Sequence, residues 1–436
     1  LTFLWNKKAD PGSGAGVTNN VSSADPNRIA TLDIVRGVAV MGILAMNITA
    51  FAMPMAAYFN PRAYGTESTG DLWSYALSFV AVDGKMRGLF SLLFGASLLL
   101  VIQRAPAESA AAVTYRRLFW LLVFGCLHFY LIWFGDILIG YALIGMVAYL
   151  FRDKPPQELI GWAVALLTVQ TLIFGGMAFG AYSIAAELAA PNPSPELLKT
   201  WESISRDVGI PSAERLKETL DLYRSGWWTV TEHQLTDKPA YPFVMTLVFG
   251  WETLAYMVLG MAALKSGFLT GAWERARYVR TALLGLAVAI PVYLLLLWLL
   301  FREDFSVPAI FAWSFAATVP VRPLMLAYAA LIIVLTQSGG GLVARIAAAG
   351  RMAFTNYLAT SVVMTYLFYG WGLGLFGTLN RTELWLPVLG MWALMLLWSK
   401  PWLEQFRYGP LEWAWRSLSR GRLEPMRLDR PAAAAA

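Results

Sequence analysis

Cysteine, histidine and charged residues are scarce in this chain of 436 residues. The one cysteine, Cys126, lies in an apolar segment, which excludes an intrachain disulfide and a cysteine-based metal site. The two histidines are His128 and His233, and charged residues make up 14% of the sequence. Walker-type phosphate loops and HExxH, CxxC and GxSxG motifs are absent, so ATP-driven transport, metal-dependent hydrolysis and a serine-hydrolase elbow have no support. We predict no metal site.

Apolar residues, in contrast, make up 58% of the chain, above the roughly 45 to 50% of soluble globular proteins. Apolar runs close to the about 20 residues that cross a bilayer recur along the sequence. The sequence therefore predicts an all-α, polytopic transmembrane helical bundle of about ten spans. The predicted spans are 31–53, 85–103, 115–134, 136–151, 158–181, 241–264, 278–300, 308–337, 353–376 and 384–399. The eighth contains Pro320 and Pro323, which predict a broken helix.

Basic residues gather in alternate loops, and such loops favour the cytoplasmic side of a membrane. The loops in question hold Arg104, Arg116, Arg117, Arg152, Lys154, Lys265, Arg275, Arg277, Arg345 and Arg351. This pattern places both termini in the cytoplasm. It predicts a flexible tail at 1–27, a bundle at 28–400 with an external insertion at 187–240, and a cytoplasmic amphipathic helix and tail at 401–436. The insertion is interpreted either as a lid over an external opening or as a surface connector.

The net charge of +6 is explained by this topology, because the basic residues form no patch or stripe. We therefore expect no nucleic-acid partner. The expected partners are the lipid bilayer and a small-molecule or envelope acceptor. A homodimer is one candidate for the oligomeric state, which the sequence leaves open.

His128 and Asp136 are ionisable residues in a strongly apolar stretch, "CLHFYLIWFGDILIGY". Buried ionisable groups are costly in a bilayer and are functional candidates for that reason. On one straight helix, eight residues separate the two by about 12 Å, so the spacing predicts no direct pair. A chain reversal at Gly135 would instead make Asp136 a cap for the next span. His128 is a candidate base, and the alternative is a histidine with only a packing role.

Glu252 lies in the middle of a predicted span and needs a partner or a proton there. Arg322 is the candidate partner. Asp83, Lys85 and Arg87 are predicted at the external mouth of the second span, either as substrate-binding residues or as snorkelling anchors.

Arg36 and Asn47 are predicted to share one face of the first span, because eleven residues return a helix to within about 20° of its starting direction. Asp33 lies one turn before Arg36 and is its candidate ion-pair partner. Arg351 and Asn356 open the ninth span on the cytoplasmic side, where we expect them to meet Arg36 around a polar inner vestibule that binds an anionic ligand.

Six segments resemble, in this order along the chain, the signatures of the YeiB-like family of bacterial inner-membrane proteins, which carry the domain of unknown function 418. They are "RIATLDIVRGVAVMGILAMNI", "KMRGLFSLLFG", "HFYLIWFGDILIGYALIG", "WETLAYMVLGMAALKSGF", "GRMAFTNYLATS" and "YGPLEWAWR". The opening LDxxRG and its downstream Asn also resemble the transmembrane acyltransferases that include lysosomal heparan N-acetyltransferase. Those enzymes move an acyl group from cytoplasmic acyl-CoA to an acceptor on the far side.

That resemblance implies roles for the candidate residues. The donor site for acyl-CoA, the expected co-substrate, would comprise Arg36, Arg351 and Asn356. The catalytic residues would be His128 as the base, Asn47 on the thioester carbonyl, and Asp136 and Glu252 as residues that orient or tune the base. The substrate-binding candidates are Asp83, Lys85, Arg87 and Arg322. One departure stands out: the heparan enzyme has its catalytic histidine shortly after the matching Asn, whereas no histidine lies between Asn47 and His128 here.

Two functions from different classes follow as expectations. The first is an acyltransferase of the bacterial inner membrane that modifies an externally presented envelope sugar, lipid or other acceptor. The alternative is a secondary transporter or exporter with Glu252, Arg322 and His128 along its path. A non-catalytic membrane scaffold is a third interpretation.

Overall fold

The computed structural model describes residues 29–428. The predicted tail at 1–27 and the chain beyond 428 lie outside the described residues. Within the described part the protein is built from helices, and strand pairing is limited to an isolated bridge between Phe406 and Arg427. The all-α fold class is confirmed.

The helices in chain order are α1 (Ala30–Ala52), α2 (Ala56–Phe59), α3 (Thr69–Leu77), α4 (Lys85–Arg104), α5 (Ala110–Leu131), α6 (Leu138–Ala148), α7 (Pro156–Leu188), α8 (Pro195–Val208), α9 (Ala213–Tyr223), α10 (Trp227–Thr236), α11 (Tyr241–Lys265), α12 (Arg275–Arg302), α13 (Val307–Ala309), α14 (Thr318–Thr336), α15 (Gly341–Arg351), α16 (Ala353–Phe368), α17 (Trp385–Gln405) and α18 (Pro410–Arg420). Turns of π-helix at Ser78–Val82 and Ile310–Ser314 lead towards α4 and α14.

Eight helical segments of the described chain are long and apolar enough to cross a membrane, and the protein is a polytopic membrane protein. They are α1, the segment Thr69–Arg104 that ends in α4, α5, α7, α11, α12, α14 and α17. Two of the ten predicted spans, 136–151 and 353–376, correspond to shorter helices, because α6 with its 3₁₀ turn ends at Phe151 and α16 ends at Phe368. The eighth predicted span is interrupted between α13 and α14, but the interruption is at Ala317, and Pro320 and Pro323, from which the break was predicted, lie inside α14.

Two helices occupy the centre of the bundle. In their most apolar stretches, α1 and α11 bury 72% of their residues, compared with 28% for α5, α12 and α17. Glycine allows α11 to approach α4 closely: a Cβ added to Gly260 would lie 1.8 Å from the carbonyl oxygen of Leu92. The outer helices present exposed side chains such as Leu172, Phe179 and Leu386, which suits a lipid-facing surface.

The two ends of the bundle carry different segments. At one end, α18 docks on the start of α5 and of α16, and Gly271 in the α11–α12 loop lies beside Thr31 at the start of α1. At the other end lie α8, α9 and α10, which form most of the predicted insertion. There, Trp227 of α10 donates a hydrogen bond to the carbonyl of Leu131, where α5 ends. We call these the basic end and the insertion end.

Candidate functional site

The end of α5 brings His128 and Asp136 together. The helix stops at Leu131, and the backbone carbonyl of His128 accepts hydrogen bonds from the N–H groups of both Ile132 (3.0 Å) and Trp133 (2.8 Å). The chain then reverses, and His128 Nδ1 donates to Asp136 Oδ1 over 2.7 Å. The expectation that eight residues keep these side chains apart was wrong, because it assumed a straight helix through both.

This Asp–His pair is sealed from solvent, with side chains that are 1% and 0% exposed. The second carboxylate oxygen of Asp136 accepts from the N–H of Ile139 at 2.8 Å, so Asp136 also caps the start of α6, as the sequence predicted. A carboxylate only accepts hydrogen bonds, which places the imidazole proton on Nδ1. His128 Nε2 therefore presents a lone pair, and it has no hydrogen-bond partner among the described residues.

Two aromatic side chains hold this loop in place. Tyr357 of α16 lies edge-on to the His128 ring with centroids 5.3 Å apart, and its hydroxyl accepts from the N–H of Ile137. Trp133 stacks on Phe51 of α1 at 3.8 Å. Gly135 makes this packing possible, since a Cβ there would lie 2.2 Å from the Trp133 ring. The loop geometry that forms the Asp–His pair thus depends on contacts from α1 and α16.

A narrow cavity with about 10 Å³ of free space, room for about one water molecule, borders these aromatic residues, and we call it the inner cavity. It is lined by Val40, Ile43, Leu44, Asn47, Phe51, Trp133, Tyr357, Thr360 and Ser361. The α1 residues in this lining continue the face that the sequence predicted for Arg36 and Asn47. Asn47 is 7% exposed and has no hydrogen-bond partner among residues 29–428, so its amide is available to a ligand.

A second cavity, also with about 10 Å³ of free space, lies at the insertion end, and we call it the outer cavity. It is enclosed by the 129–134 segment, by α10 and by the chain after α16. Trp133 lines both cavities and therefore forms the wall between them.

The predicted donor-binding residues lie at the basic end. Arg36 donates to Asp33 over 3.0 Å, as predicted, and to the hydroxyl of Ser97 over 2.6 Å. The end of α15 meets the start of α1 there, since a Cβ on Gly350 would lie 1.9 Å from the carbonyl oxygen of Asp33. Arg351 directly follows this contact, so the structure brings the helix ends that carry Arg36 and Arg351 together.

Asn356 does not face a vestibule. Its amide nitrogen donates to the carbonyl of Ala349 (3.0 Å) and to the hydroxyl of Ser399 (3.2 Å), and its oxygen accepts from Trp398 (3.0 Å). The side chain is fully buried. Asn356 thus ties α15, α16 and α17 together, and we leave it out of the candidate donor site.

Glu252 has a different partner from the predicted one. Arg87 of α4 donates to it over 2.5 Å, and the hydroxyl of Tyr256 donates to its other oxygen over 2.8 Å. Arg322 instead donates to the carbonyl of Leu167 and to the hydroxyl of Thr171. The sequence could not predict that Arg87 and not Arg322 pairs with Glu252, because it does not show which residues of distant helices lie at the same level in the bundle.

Of the cluster predicted at an external mouth, Lys85 is buried inside the protein, whereas Asp83 and Arg87 are half-buried. Lys85 is fully buried, donates to the carbonyl of Phe79 and lies 3.5 Å above the ring of Tyr293. Asp83 accepts from the hydroxyl of Tyr58 at 2.9 Å. Lys85 is therefore no snorkelling anchor. Neither the inner nor the outer cavity is lined by Asp83, Lys85, Arg87, Glu252 or Arg322.

Sequence reasoning missed Trp133, Tyr357, Gln234 and Tyr369, which line the two cavities. The only signal for Trp133 was Gly135 two residues later, and aromatic residues are too common in the chain, at 14%, to single out Tyr357 and Tyr369. His233, in contrast, forms an exposed pair with Asp237 on α10. Among residues 29–428 there is no group of three or more His, Cys, Asp or Glu side chains arranged to hold a metal ion.

Comparison with known proteins adds the family. Residues 263–422 match the family model described as "Protein of unknown function (DUF418)". The chain is 32% identical to the uncharacterized protein YeiB of Escherichia coli over 90% of its own length and 96% of that protein. It is also 32% identical to the uncharacterized protein YxaH of Bacillus subtilis, over 89% of this chain and 94% of the relative.

A third relative is an uncharacterized 39.9 kDa protein encoded in the amylase 3' region of Bacillus acidopullulyticus, at 26% identity over 93% of this chain and 97% of that protein. The matches to these three relatives span nearly the whole of this chain and nearly the whole of each relative. The chain belongs to the YeiB-like DUF418 family of membrane proteins.

Proposed function

We propose that this protein is an acyltransferase of the bacterial inner membrane. It takes an acyl group from cytoplasmic acyl-CoA and delivers it to an acceptor at the insertion end, where an envelope sugar, a lipid or another small molecule is presented. The lipid bilayer and the acceptor are its proposed partners, and a homodimer stays a prediction.

The observation that carries the proposal is the unpartnered Nε2 of His128. Asp136 fixes the proton on Nδ1, so the opposite nitrogen offers a lone pair inside a water-poor site. This is the arrangement that general-base catalysis requires. In a structural histidine, the buried second nitrogen would be expected to have a partner as well.

The proposed reaction uses His128 and Asn47. His128 lines neither cavity, so Trp133 or Tyr357 would have to move before its Nε2 could reach the acceptor. His128 Nε2 removes a proton from the acceptor hydroxyl or amine as its oxygen or nitrogen attacks the thioester carbonyl carbon. The carbonyl oxygen gains negative charge, and the free amide N–H of Asn47 stabilises that charge. The carbon–sulfur bond then breaks, coenzyme A leaves as a thiolate, and the protonated His128 returns its proton to the sulfur. Asp136 is a positioning residue, because it acts through the imidazole.

The donor would approach from the basic end. Arg351 and Arg36, the latter already paired with Asp33, supply positive charge near the start of α1 for the donor phosphates. The inner cavity is far smaller than the roughly 300 to 1,000 Å³ of common ligand sites, so the side chains around it would have to move apart to admit the acyl and thioester end of the donor. Glu252 receives no role in this scheme, since its carboxylate is held by Arg87 and Tyr256.

The test is acyl transfer in inside-out membrane vesicles supplied with radiolabelled acetyl-CoA and longer acyl-CoAs. The Cys126→Ala background removes the only cysteine of the chain, so thiol release can be followed without reaction of the protein itself. We expect label to enter an envelope fraction, and we expect His128→Ala to lower the rate by at least about 100-fold.

The matched control is His233→Ala, because His233 also donates from Nδ1 to a carboxylate over 2.7 Å, but its side chain is 24% exposed. We expect this variant to retain the wild-type rate. If the wild-type protein neither binds nor consumes any acyl-CoA, or if His128→Ala transfers as fast as His233→Ala, the proposal is overturned.

A secondary transporter is the second candidate function. The observation that favours it is the Arg87–Glu252 pair between α4 and α11, in which Glu252 is buried and Arg87 is 21% exposed. Tyr256 donates to Glu252, and Gln170 of α7 lies close by. Ionisable groups at such depth are common in proton and substrate paths. Transport would be favoured by a flux into proteoliposomes that requires a pH gradient and disappears in Glu252→Gln. If the protein is an acyltransferase, we expect no such flux in the wild type or in this variant.

A further inference from the structure

Three arginines from distant parts of the sequence meet at the basic end of the bundle. Arg117 lies in the first half of α5, and Arg416 and Arg420 lie one turn apart on α18. Because α18 packs against α5, Arg117 comes within range of the positive charges of both. We call these three residues the arginine cluster. Basic residues that are scattered along the sequence thus gather in space.

Aromatic rings hold two of these cations in place. The guanidinium of Arg117 lies 4.3 Å from the ring centroid of Trp415, and the indole N–H of Trp415 donates to the backbone carbonyl of Arg117 over 2.8 Å. The guanidinium of Arg416 lies 4.6 Å from the ring centroid of Tyr408. Such cation–π contacts orient a guanidinium, but they leave its net charge in place.

The carboxylates of α18 and of the chain after it do not balance the cluster. Both oxygens of Glu412 accept hydrogen bonds from the first turn of α16. Glu424 pairs with Arg420 over 2.7 Å. Neither Arg117 nor Arg416 has an ion-pair partner in the described part of the chain. The like charges of the cluster repel one another, so a bound anion would be stabilised there.

Apolar side chains are exposed beside the cluster. Leu418 of α18 is 40% exposed, and Leu423, three residues after that helix ends, is 80% exposed. A helix that carries arginine, tryptophan and exposed leucine together is typical of the boundary between headgroups and acyl chains. Basic loops favour the cytoplasmic side, where the membrane surface carries anionic lipids.

We propose that the arginine cluster binds the phosphate group of an anionic phospholipid in the inner leaflet. Guanidinium groups match phosphate oxygens in charge and geometry, and Leu418 and Leu423 would contact the acyl chains of the same lipid. Inorganic phosphate and the phosphates of coenzyme A share this chemistry, but neither has apolar chains for the two leucines. The proposal goes beyond acyl transfer, because no residue of the cluster belongs to the candidate catalytic or donor site.

The experiment is native mass spectrometry of the full chain in a neutral detergent. The protein is titrated with dioleoyl phosphatidylglycerol and, separately, with dioleoyl phosphatidylcholine, which has the same acyl chains and no net charge. We expect the anionic lipid to bind on the order of tenfold more tightly, since each basic residue near an anionic headgroup contributes about 1 kcal/mol. Further arms add inorganic phosphate or coenzyme A as competitors. Retention of the lipid in both arms supports the lipid site, and its displacement by either competitor would assign the cluster to a soluble phosphate ligand.

Arg420→Gln and Arg117→Gln should each weaken phosphatidylglycerol binding about fivefold and leave phosphatidylcholine binding unchanged. Arg420 is 46% exposed, so its variant tests the charge without a change in packing. Arg277→Gln is the matched control, because Arg277 also lies at the basic end, at the start of α12, with its guanidinium 3.5 Å from the ring centroid of Trp273. Equal affinity of the wild type for both lipids, or the same loss in Arg277→Gln as in Arg420→Gln, would overturn the proposal.

Discussion

At the scale of single residues, burial and not distance distinguishes the two histidines of this chain. Both donate from Nδ1 to an aspartate over 2.7 Å. His233 and Asp237 lie on an exposed helix face, and the hydrogen bond from His233 lowers the pKa of Asp237 below its ordinary value of 3.8. His128 and Asp136 are sealed inside the bundle, where a fixed tautomer has chemical consequences.

Asp136→Asn should change the tautomer of His128. The asparagine can still accept from Ile139 N–H, but its amide nitrogen then faces His128 Nδ1 and turns that nitrogen into an acceptor. The proton moves to Nε2, and the lone pair needed for a base is lost. We expect acyl transfer to fall on the order of 10²- to 10⁴-fold with little loss of thermal stability.

Nitrogen-15 NMR of histidine-labelled protein measures the tautomer of His128 without any substrate. The chain has two histidines, so the His233→Ala variant gives the signals of His128 alone. The wild type should show a protonated Nδ1 and a bare Nε2, and Asp136→Asn the reverse. Asp237→Asn is the matched control and should leave the His128 signals in place. An Asp136→Asn variant with an unchanged spectrum would show that Asp136 does not set the tautomer.

At the scale of elements, α18 is fastened to the bundle by one carboxylate. Glu412 accepts from the N–H of Phe354 (2.8 Å), from the N–H of Thr355 (3.1 Å) and from the Thr355 hydroxyl. These N–H groups lie in the first turn of α16, where helix donors lack partners of their own. Glu412→Ala should therefore lower the free energy of unfolding by about 1 to 3 kcal/mol, measured by thermal unfolding in nanodiscs.

The pH dependence of the same contact has a definite sign. Burial raises the pKa of Glu412 above its ordinary value of 4.5, although the hydrogen bonds from Thr355 and Phe354 oppose this. The folded state therefore binds the proton more tightly than the unfolded state, and the stability contributed by this group is complete below pH 4.5 and falls as the pH rises through the folded-state pKa.

Glu412→Gln keeps an acceptor for the two N–H groups and removes the titration. The melting temperature of the wild type should therefore fall relative to that of Glu412→Gln as the pH rises above 4.5. Glu404→Gln, at a side chain 61% exposed, is the control and should follow the wild type. Parallel curves for wild type and Glu412→Gln would contradict the raised pKa.

Elements also show what the sequence could and could not predict. Hydrophobic length located the long helices α1, α4, α7, α11 and α12 to within a few residues, except that α7 continues to Leu188. Charge alone could not pair Glu252 with Arg87, because helix register and neighbours come from packing. The Asp–His pair was missed because a local reversal, held by Trp133 and Tyr357 from distant contacts, replaced the expected straight helix.

At the scale of the whole molecule, the two ends of the bundle carry different segments, which define the basic end and the insertion end. Helix α18, the start of α1 and the α11–α12 loop gather at the basic end. The insertion, Arg62 with Asp304, and the chain around Arg381 gather at the insertion end. Burial lowers the pKa of Arg381 to about 10, still far above physiological pH, so it stays a cation that donates to loop carbonyls.

Basic loops favour the cytoplasm, so the basic end should face inward and the insertion outward. Single cysteines in the Cys126→Ala background test this. Ala213→Cys, exposed at the start of α9, should react with a membrane-impermeant maleimide in intact spheroplasts. Ala276→Cys, exposed at the start of α12, should react only after permeabilisation. The reverse pattern would place the basic end, with the proposed acyl-CoA site, outside the cell and the insertion end in the cytoplasm. It would therefore reject delivery of the acyl group to an external acceptor.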